Sequence, residues 1–367
     1  MINSKKIFNI LKNNINFFTG VPDSVLKEFL KFLPNKKKNH LISVNEGTAV
    51  SHAIGYYLAT KKIALVYMQN SGLGNAINPL ISIANEKVYQ IPMCILLGWR
   101  GSPNEKDEPQ HLAMGKITLD LLKLLKIKYV IINNNNSISK IKKILDYSKK
   151  RKKIICIIIK KDSLSKNKVP KKREKLNNNN ILRLKFIENL LKFTTKKYKI
   201  VSTTGYTSRE LYYLRKNKKS HIRDFYMVGG MGHASSVALG LSSFLNYKKI
   251  ICLDGDGSIL MHLGSMHTIG VLKNPNFKHI ILNNNSHESV GGQGTEAQNI
   301  DFKNLSKSVG YKNYFILKKK NEINKILKKF LKSSGPSLLE VKIISGTIKN
   351  LLRPKNLKKQ KEKFLDN

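Results

Sequence analysis

Acidic residues are scarce in this chain beside basic ones. Across 367 residues, 23 Asp and Glu stand against 67 Lys and Arg, a formal net charge of +44. Such an imbalance invites a nucleic-acid partner. The lysines, however, fall largely on polar faces and in loops, not on one stripe interleaved with aromatics. Lys, Asn and Ile are heavily used together, in runs such as Asn133–Asn136, Asn177–Asn180, Lys36–Lys38 and Lys318–Lys320. These three residue types share A/T-rich codons, so base composition accounts for the charge without a specific nucleic-acid function. The field would still attract an anionic ligand.

Cysteine is also scarce. Cys94, Cys156 and Cys252 each sit inside an apolar run with no CxxC spacing. That pattern excludes a disulfide framework and reads as small core residues in a reducing compartment. Long apolar runs are missing as well: none approaches the ~20 residues a membrane span needs. Met1 to Asn16 is interrupted by Lys and Asn, where a signal peptide would need a continuous apolar stretch. The expectation is a soluble, cytoplasmic protein without a membrane partner.

What the chain does have is alternation. Leu41–Val44, Ile63–Met68, Pro92–Leu97, Tyr129–Ile132 and Ile154–Ile159 read as strands. Ser24–Leu33, Glu46–Thr60, Ala76–Ala84, Ile117–Leu125 and Ile138–Lys149 read as helices. Charge, Pro170 and an Asn run then break the pattern, and the same rhythm returns after Ile181. There the strands are Lys199–Thr203, Phe225–Val228, Ile250–Leu253, His279–Leu282, Tyr314–Leu317 and Ser337–Ile343. Helical stretches at Ile181–Phe193, Thr207–Leu214, Ala234–Leu245, Ile259–Val271 and Ile323–Lys332 separate them. Alternation of this kind predicts α/β architecture, with two doubly wound parallel-sheet domains. The boundaries expected are 1–165, a linker over 166–180, 181–348, and a lysine-rich tail over 349–367 that frays at the surface.

The most informative string is Leu253-Asp254-Gly255-Asp256-Gly257-Ser258, with Asn284 following 28 positions after Asp256. Each half comes directly after a β-branched apolar run, and a helical pattern lies between them. A carboxylate and an amide therefore leave the carboxyl ends of successive strands, where open parallel sheets bind ligands. Together they suit one hard cation: Mg2+ favours a carboxylate, neutral oxygens and a ligand's phosphates. Gly255 and Gly257 let the backbone approach a diphosphate closely. In the first half, Leu41 to Gly47 places Glu46 where a buried strand turns into a helix. Val228-Gly229-Gly230-Met231-Gly232-His233 makes a second glycine-rich turn, with Met231 25 residues before Asp256.

The Asp256…Asn284 spacing, Glu46 and the turn around Met231 together resemble thiamine-diphosphate-dependent enzymes. That resemblance implies two domains, one binding the pyrimidine and one the diphosphate, with no middle domain. It makes Asp256, the Asn284 side chain and the Ser286 carbonyl the Mg2+ ligands. Asn285 stands where the family often has Gly, and Asn tolerates positive φ better than most residues. Glu46 would hydrogen-bond the aminopyrimidine, Met231 would prop the cofactor in its bent form, and the Gly229 carbonyl would accept from the amino group. Gly255, Gly257 and Ser258 complete the cofactor-binding set.

Longer strings narrow the resemblance to the branch acting on phosphonopyruvate or sulfopyruvate. They are Phe17–Ser24, Gln69–Asn75, Asp107–His111, Ser202–Glu210, Phe225–His233 and Asn284–Gln293, with Glu288 standing where Asp would be expected. The implied reaction is decarboxylation of 3-phosphonopyruvate to phosphonoacetaldehyde, in phosphonate biosynthesis of the 2-aminoethylphosphonate type. Sulfopyruvate is the nearest alternative substrate. A carboligase, a dinucleotide enzyme and a basic binding protein on a decayed scaffold fit less well. Gly72-Leu73-Gly74 lacks the third glycine of a dinucleotide fingerprint, and Glu46, Asp256 and Asn284 are all intact. A substrate with two anionic groups calls for converging donors. The candidates are Ser24, Arg100, His111 and the Gly291–Gly292 backbone, with His111 or His287 handling protons. The polar loop from Gly98 to Gln110 has the composition of a mobile lid. In relatives the site lies between two chains, so a homodimer or higher oligomer is expected.

Overall fold

The computed structural model describes residues 1–33, 38–166, 179–218, 224–245 and 247–366. The expected linker over 166–180 falls largely outside the described residues. Two compact units emerge, Met1–Lys171 with His287–Gln293, and Lys172–Ser286 with Gly294–Asn367.

The first unit runs α1 (Ser4–Lys12), β1 (Phe18–Gly20), α2 (Lys27–Leu30), β2 (His40–Ile42), α3 (Glu46–Thr60), β3 (Leu65–Gln69), α4 (Leu73–Pro79), β4 (Cys94–Trp99), α5 (Pro109–Leu124), β5 (Lys128–Ile132), α6 (Ser139–Arg151) and β6 (Ile155–Lys160). Its strands are parallel in the order β2-β1-β3-β4-β6-β5. β4 and β6 are apolar almost throughout because both faces are covered. Leu96 and Ile157 pack on one side with Leu11, Phe29 and Leu145. Leu97 and Ile158 pack on the other with Val50, Leu73 and Leu122.

The second unit runs α7 (Arg183–Phe193), β7 (Tyr198–Ser202), α8 (Tyr206–Asn217), β8 (Phe225–Tyr226), α9 (Ala234–Phe244), β9 (Lys249–Gly255), α10 (Asp256–Met261), α11 (Ser265–Leu272), β10 (Phe277–Asn283), α12 (Phe302–Ser308), β11 (Asn313–Leu317), α13 (Ile323–Lys332), β12 (Ser337–Lys342) and α14 (Leu357–Leu365). The strand order is β11-β12-β10-β9-β7-β8. Numbered within its own unit and read from the other edge, this is the order of the first sheet. The two halves are one topology used twice. In each, the chain reverses direction across the sheet between its first and third strands, which is where doubly wound sheets open a crevice. The expected α/β class with two parallel sheets is what the structure has. Cys94, Cys156 and Cys252 are buried and free.

Three local expectations need correction. The helix expected over Ile259–Val271 is two helices, because the chain turns at His262 (φ −137°, ψ 55°) before α11. Ser24 does not start a helix: it lies in a turn that leads to the four-residue α2. The lysine-rich tail does not simply fray. α14 anchors through buried Phe364, whose ring meets Phe225 at 5.7 Å, while the Lys199 ammonium sits 4.2 Å from the Phe364 ring centroid and donates to its carbonyl.

Candidate active site

In each unit the polar residues gather where the sheet reverses, and each crevice is stitched by a hydrogen bond across that point. In the first unit Gln69, ending β3, donates Nε2 to Asp23 Oδ1 beyond β1 at 2.8 Å. In the second, Thr203 beyond β7 donates to the Ser258 hydroxyl in α10 at 2.9 Å.

Glu46 begins α3. The preceding Asn45 caps the helix, its side chain accepting from Thr48 N at 2.8 Å, so the strand-to-helix turn is fixed by a local bond. The Glu46 side chain is buried, and its Oε2 accepts from Asn75 Nδ2 at 2.8 Å. Its carboxyl lies against Gly72, where a Cβ would meet Glu46 Oε1 at 2.5 Å. Gly72 closes the turn of 3-10 helix Asn70–Gly72 that follows β3.

That same turn organises the residues expected to meet substrate. Asn70 brackets the Arg100 backbone, accepting from its N at 3.0 Å and donating to its carbonyl at 2.9 Å. The Arg100 guanidinium binds Asp107 through two bonds, Nε at 2.7 Å and Nη2 at 2.5 Å, and Nη1 donates to Ser24 Oγ at 3.1 Å. With the Gly101 and Glu108 amides also donating to it, Asp107 is held well below the usual carboxylate range, against the opposing effect of burial. Asp23, packed against Gly98 and capping Val25 N and Leu26 N, is pushed the other way, upward, by burial. His111 lies in the first turn of α5, and its carbonyl leaves room only for glycine at position 101, where φ is +68°. The loop with a lid's composition is thus pinned at Arg100, Gly101 and Asp107. Ser24 and Arg100 come together directly, but Arg100 has spent two of its donors on Asp107.

In the second unit, sheet register pairs Gly255 of β9 with Leu282 of β10. Asp256 and Asn284 therefore leave neighbouring strand ends one and two residues later. Asp256 is 3% exposed, and Thr295 Oγ1 donates to its Oδ2 at 2.5 Å. Burial pushes this carboxyl up to about 6, with the Thr295 bond opposing. Asn284 Oδ1 accepts from Ser286 N at 3.1 Å, and Asn285 adopts φ +54°, the conformation for which its residue type was suited. Ser258 acts as a strut, its hydroxyl also accepting from Gly232 N at 3.2 Å, which ties the turn bearing Gly229 and Met231 to α10. A Cβ at Gly255 would meet nothing nearer than Thr203 Cγ2 at 3.9 Å, so the space beside this backbone is not filled by protein. His287, Gly291 and Gly292, in the segment that groups with the first unit, form a tight turn, with Gly292 N donating to the His287 carbonyl at 3.0 Å and Gly292 at φ +83°. Burial pushes the His287 imidazole down to about 4.

These features fit a metal-bridged diphosphate. Asp256 is a sheltered carboxylate with no ion-pair partner among the described residues, next to vacant backbone at Gly255. A second group of metal-compatible side chains, Cys252, Asp254 and His279, lies deeper in the same sheet. It reads as a polar chain inside the core. His279 Nδ1 is bonded to Tyr311 at 2.8 Å, its Nε2 stands 3.6 Å from Asp254 Oδ2, and burial holds the Cys252 thiol well above its ordinary range. Sequence reasoning missed Asn75, Thr203 and Thr295. Each is a single polar residue whose partner lies 29, 55 and 39 positions away, respectively.

The family model described as thiamine pyrophosphate enzyme, N-terminal TPP binding domain, matches residues 3–123, and that for the C-terminal TPP binding domain matches 203–341. The chain belongs to the family of thiamine-diphosphate-dependent decarboxylases. Within it, the chain is similar to the phosphonopyruvate decarboxylase of Streptomyces viridochromogenes, at 32% identity over 352 residues, covering 92% of this chain and 87% of that one. The sulfopyruvate decarboxylase of Methanosarcina acetivorans is 27% identical, covering 93% of this chain and 91% of that one. The beta subunit of sulfopyruvate decarboxylase from Methanocaldococcus jannaschii is 42% identical over 130 residues, covering 35% of this chain and 66% of that one.

Proposed function

We propose that the chain decarboxylates 3-phosphonopyruvate to phosphonoacetaldehyde and carbon dioxide, using thiamine diphosphate and Mg2+. The observation that carries this reading is the buried Asp256 carboxyl at the carboxyl end of β9, without an ion-pair partner among the described residues and beside open backbone at Gly255. Asp256, the Asn284 side chain and the Ser286 carbonyl would hold Mg2+, which takes oxygen ligands from protein and phosphate together. Gly229, Met231, Gly255, Gly257 and Ser258 would hold the cofactor. When bound, thiamine diphosphate would supply the electron sink for the pair left behind as carbon dioxide departs. Glu46 holds and moves the proton at the aminopyrimidine, with Asn75 on one carboxyl oxygen.

Ser24 Oγ, the remaining donor capacity of Arg100, His111 and the Gly291–Gly292 amides would meet the two anionic groups of the substrate. A pKa of about 4 leaves His287 uncharged at neutral pH. It can therefore act as a neutral hydrogen-bond partner, and His111 remains to deliver the proton that replaces carbon dioxide.

Sulfopyruvate is the second reading, favoured by the higher identity, though over a shorter stretch, to the Methanocaldococcus jannaschii subunit. Sulfopyruvate decarboxylases named as alpha and beta subunits also support assembly. We place this chain in a homodimer or larger homo-oligomer with the cofactor shared between chains. Irreversible loss of carbon dioxide would draw forward an unfavourable phosphonopyruvate-forming step, consistent with cytoplasmic phosphonate biosynthesis of the 2-aminoethylphosphonate type. The test is aldehyde release from phosphonopyruvate, sulfopyruvate and pyruvate, each with thiamine diphosphate and Mg2+ present. Phosphonopyruvate should have the highest kcat/KM. A preference for sulfopyruvate would move the assignment to the second reading, and turnover of none of the three would overturn it.

A further inference from the structure

We propose that Asn75 is a positioning residue for Glu46, fixing one carboxyl oxygen so that the other is presented to the ligand; the proposal rests on Glu46 being the proton-handling acid. Three observations meet at this side chain. Asn75 Nδ2 donates to Glu46 Oε2 at 2.8 Å. The opposite oxygen, Oε1, has no hydrogen-bond partner among the described residues, and it lies over Gly72, where a Cβ would approach it to 2.5 Å. Gly47, next to Glu46, has room for no Cβ because the Asn75 carbonyl would stand 2.8 Å from it. Two glycines therefore set how closely α3, α4 and the turn after β3 approach, and Asn75 sets the rotation of the carboxyl within that gap.

The arrangement selects an amide for a physical reason. A carboxyl with free χ angles spreads its two oxygens over several orientations, whereas one bonded oxygen leaves a single orientation for the other. An N–H donor also favours the ionised form of the acid it touches. The described elements that carry these contacts offer no rival acid. α4 carries no titratable group, and neither does the Asn70–Gly72 turn. On α3 the remaining ones are His52, Tyr56 and Tyr57, and His52 Nδ1 is engaged with Ser43 Oγ at 3.0 Å. Asn75 is itself exposed, so its replacement removes little from the core.

The experiment compares Asn75→Leu, Asn75→Asp, Gly72→Ala and Glu46→Gln with the wild-type holoenzyme. Readouts are kcat and KM against pH, with thiamine diphosphate affinity by calorimetry. Asn75→Leu should lower kcat by about 10²-fold, leave KM and cofactor affinity within a few-fold, and move the acid limb of the kcat/KM profile up by about one pH unit. Asn75→Asp should move the limb further, because two adjacent carboxyls share a proton. Gly72→Ala, which displaces the carboxyl without touching Asn75, should reproduce the loss of kcat. If Asn75→Leu keeps wild-type kcat and an unmoved pH profile while Glu46→Gln is inactive, the positioning role is wrong. If Glu46→Gln itself turns over normally, the reading of Glu46 fails instead.

Discussion

Replacing Asp256 with Asn should make the metal-free protein more stable near neutral pH. The Asp256 carboxyl is 3% exposed, and burial raises it from 3.8 to about 6. Its folded pKa therefore lies above its unfolded value, and folding takes up a proton between the two. The stability this group contributes is fully present below about pH 4 and is lost as pH rises through 6. A shift of about two units corresponds to about 3 kcal/mol, all of it withdrawn by pH 7.5. Asn cannot ionise and can still accept the Thr295 hydrogen bond. For a unit of this size, 3 kcal/mol is worth roughly 6–12 °C in Tm. The assay is thermal melting of EDTA-treated wild type and Asp256→Asn from pH 4.5 to 8. The variant should melt higher at pH 7.5, with the gap closing towards pH 4.5. A pH-independent difference, or a variant that melts lower at pH 7.5, would refute the reasoning. Thiamine diphosphate with Mg2+ should reverse the ranking at high ligand, since ligand at about 1,000 times its Kd adds about 4.1 kcal/mol to the form that binds it, more than the roughly 3 kcal/mol separating the two.

Lys278 offers a second buried charge, at the amino end of β10 and remote from the carboxyl ends of the strands. It is fully buried on β10 without a carboxylate partner among the described residues, donating to the Ser333 carbonyl and to Ser333 Oγ at 3.0 Å, and burial lowers it from 10.5 to about 8. A depressed lysine lacks its stabilising contribution below the folded pKa and gains it as pH rises towards the unfolded one. After discounting for the lost hydrogen bonds and for partial solvent screening, Lys278→Met should stabilise by about 2 kcal/mol at pH 7. The gain should fade by pH 10 in denaturant titrations, and an equal gain at both pH values would contradict it. His287, pushed down to about 4, is neutral across the usual assay range. His287→Asn should therefore leave the pH dependence of kcat between 6 and 8 in place, and a displaced profile would show that His287 titrates there.

Much of the fold was legible because parallel strands covered on both faces announce themselves as apolar runs. Ile155–Lys160 and Phe277–Asn283 needed only their composition. The bounds Glu46–Thr60 and Ile323–Lys332 followed from helical spacing. β1 and α1 went unrecognised, since a three-residue strand and a lysine-studded helix carry little periodicity. The break at His262 was hidden because apolar residues continue across it. Among the candidate site residues, Asp256, Asn284 and Glu46 stood out as charged or amide residues at the ends of apolar runs. Asn75 and Thr295 did not, because their meaning lies in a partner brought near only by the sheet. Arg100 was legible as a cation in a polar loop, but its commitment to Asp107 needed coordinates.

The central claim is that a divalent cation and thiamine diphosphate bind as one unit at Asp256. Titration calorimetry of thiamine diphosphate into the purified protein, with Mg2+ and then with EDTA, tests it most directly. Saturable heat should appear only with the metal present and vanish in Asp256→Asn. Equal binding in EDTA, or an unchanged isotherm in that variant, would contradict the account.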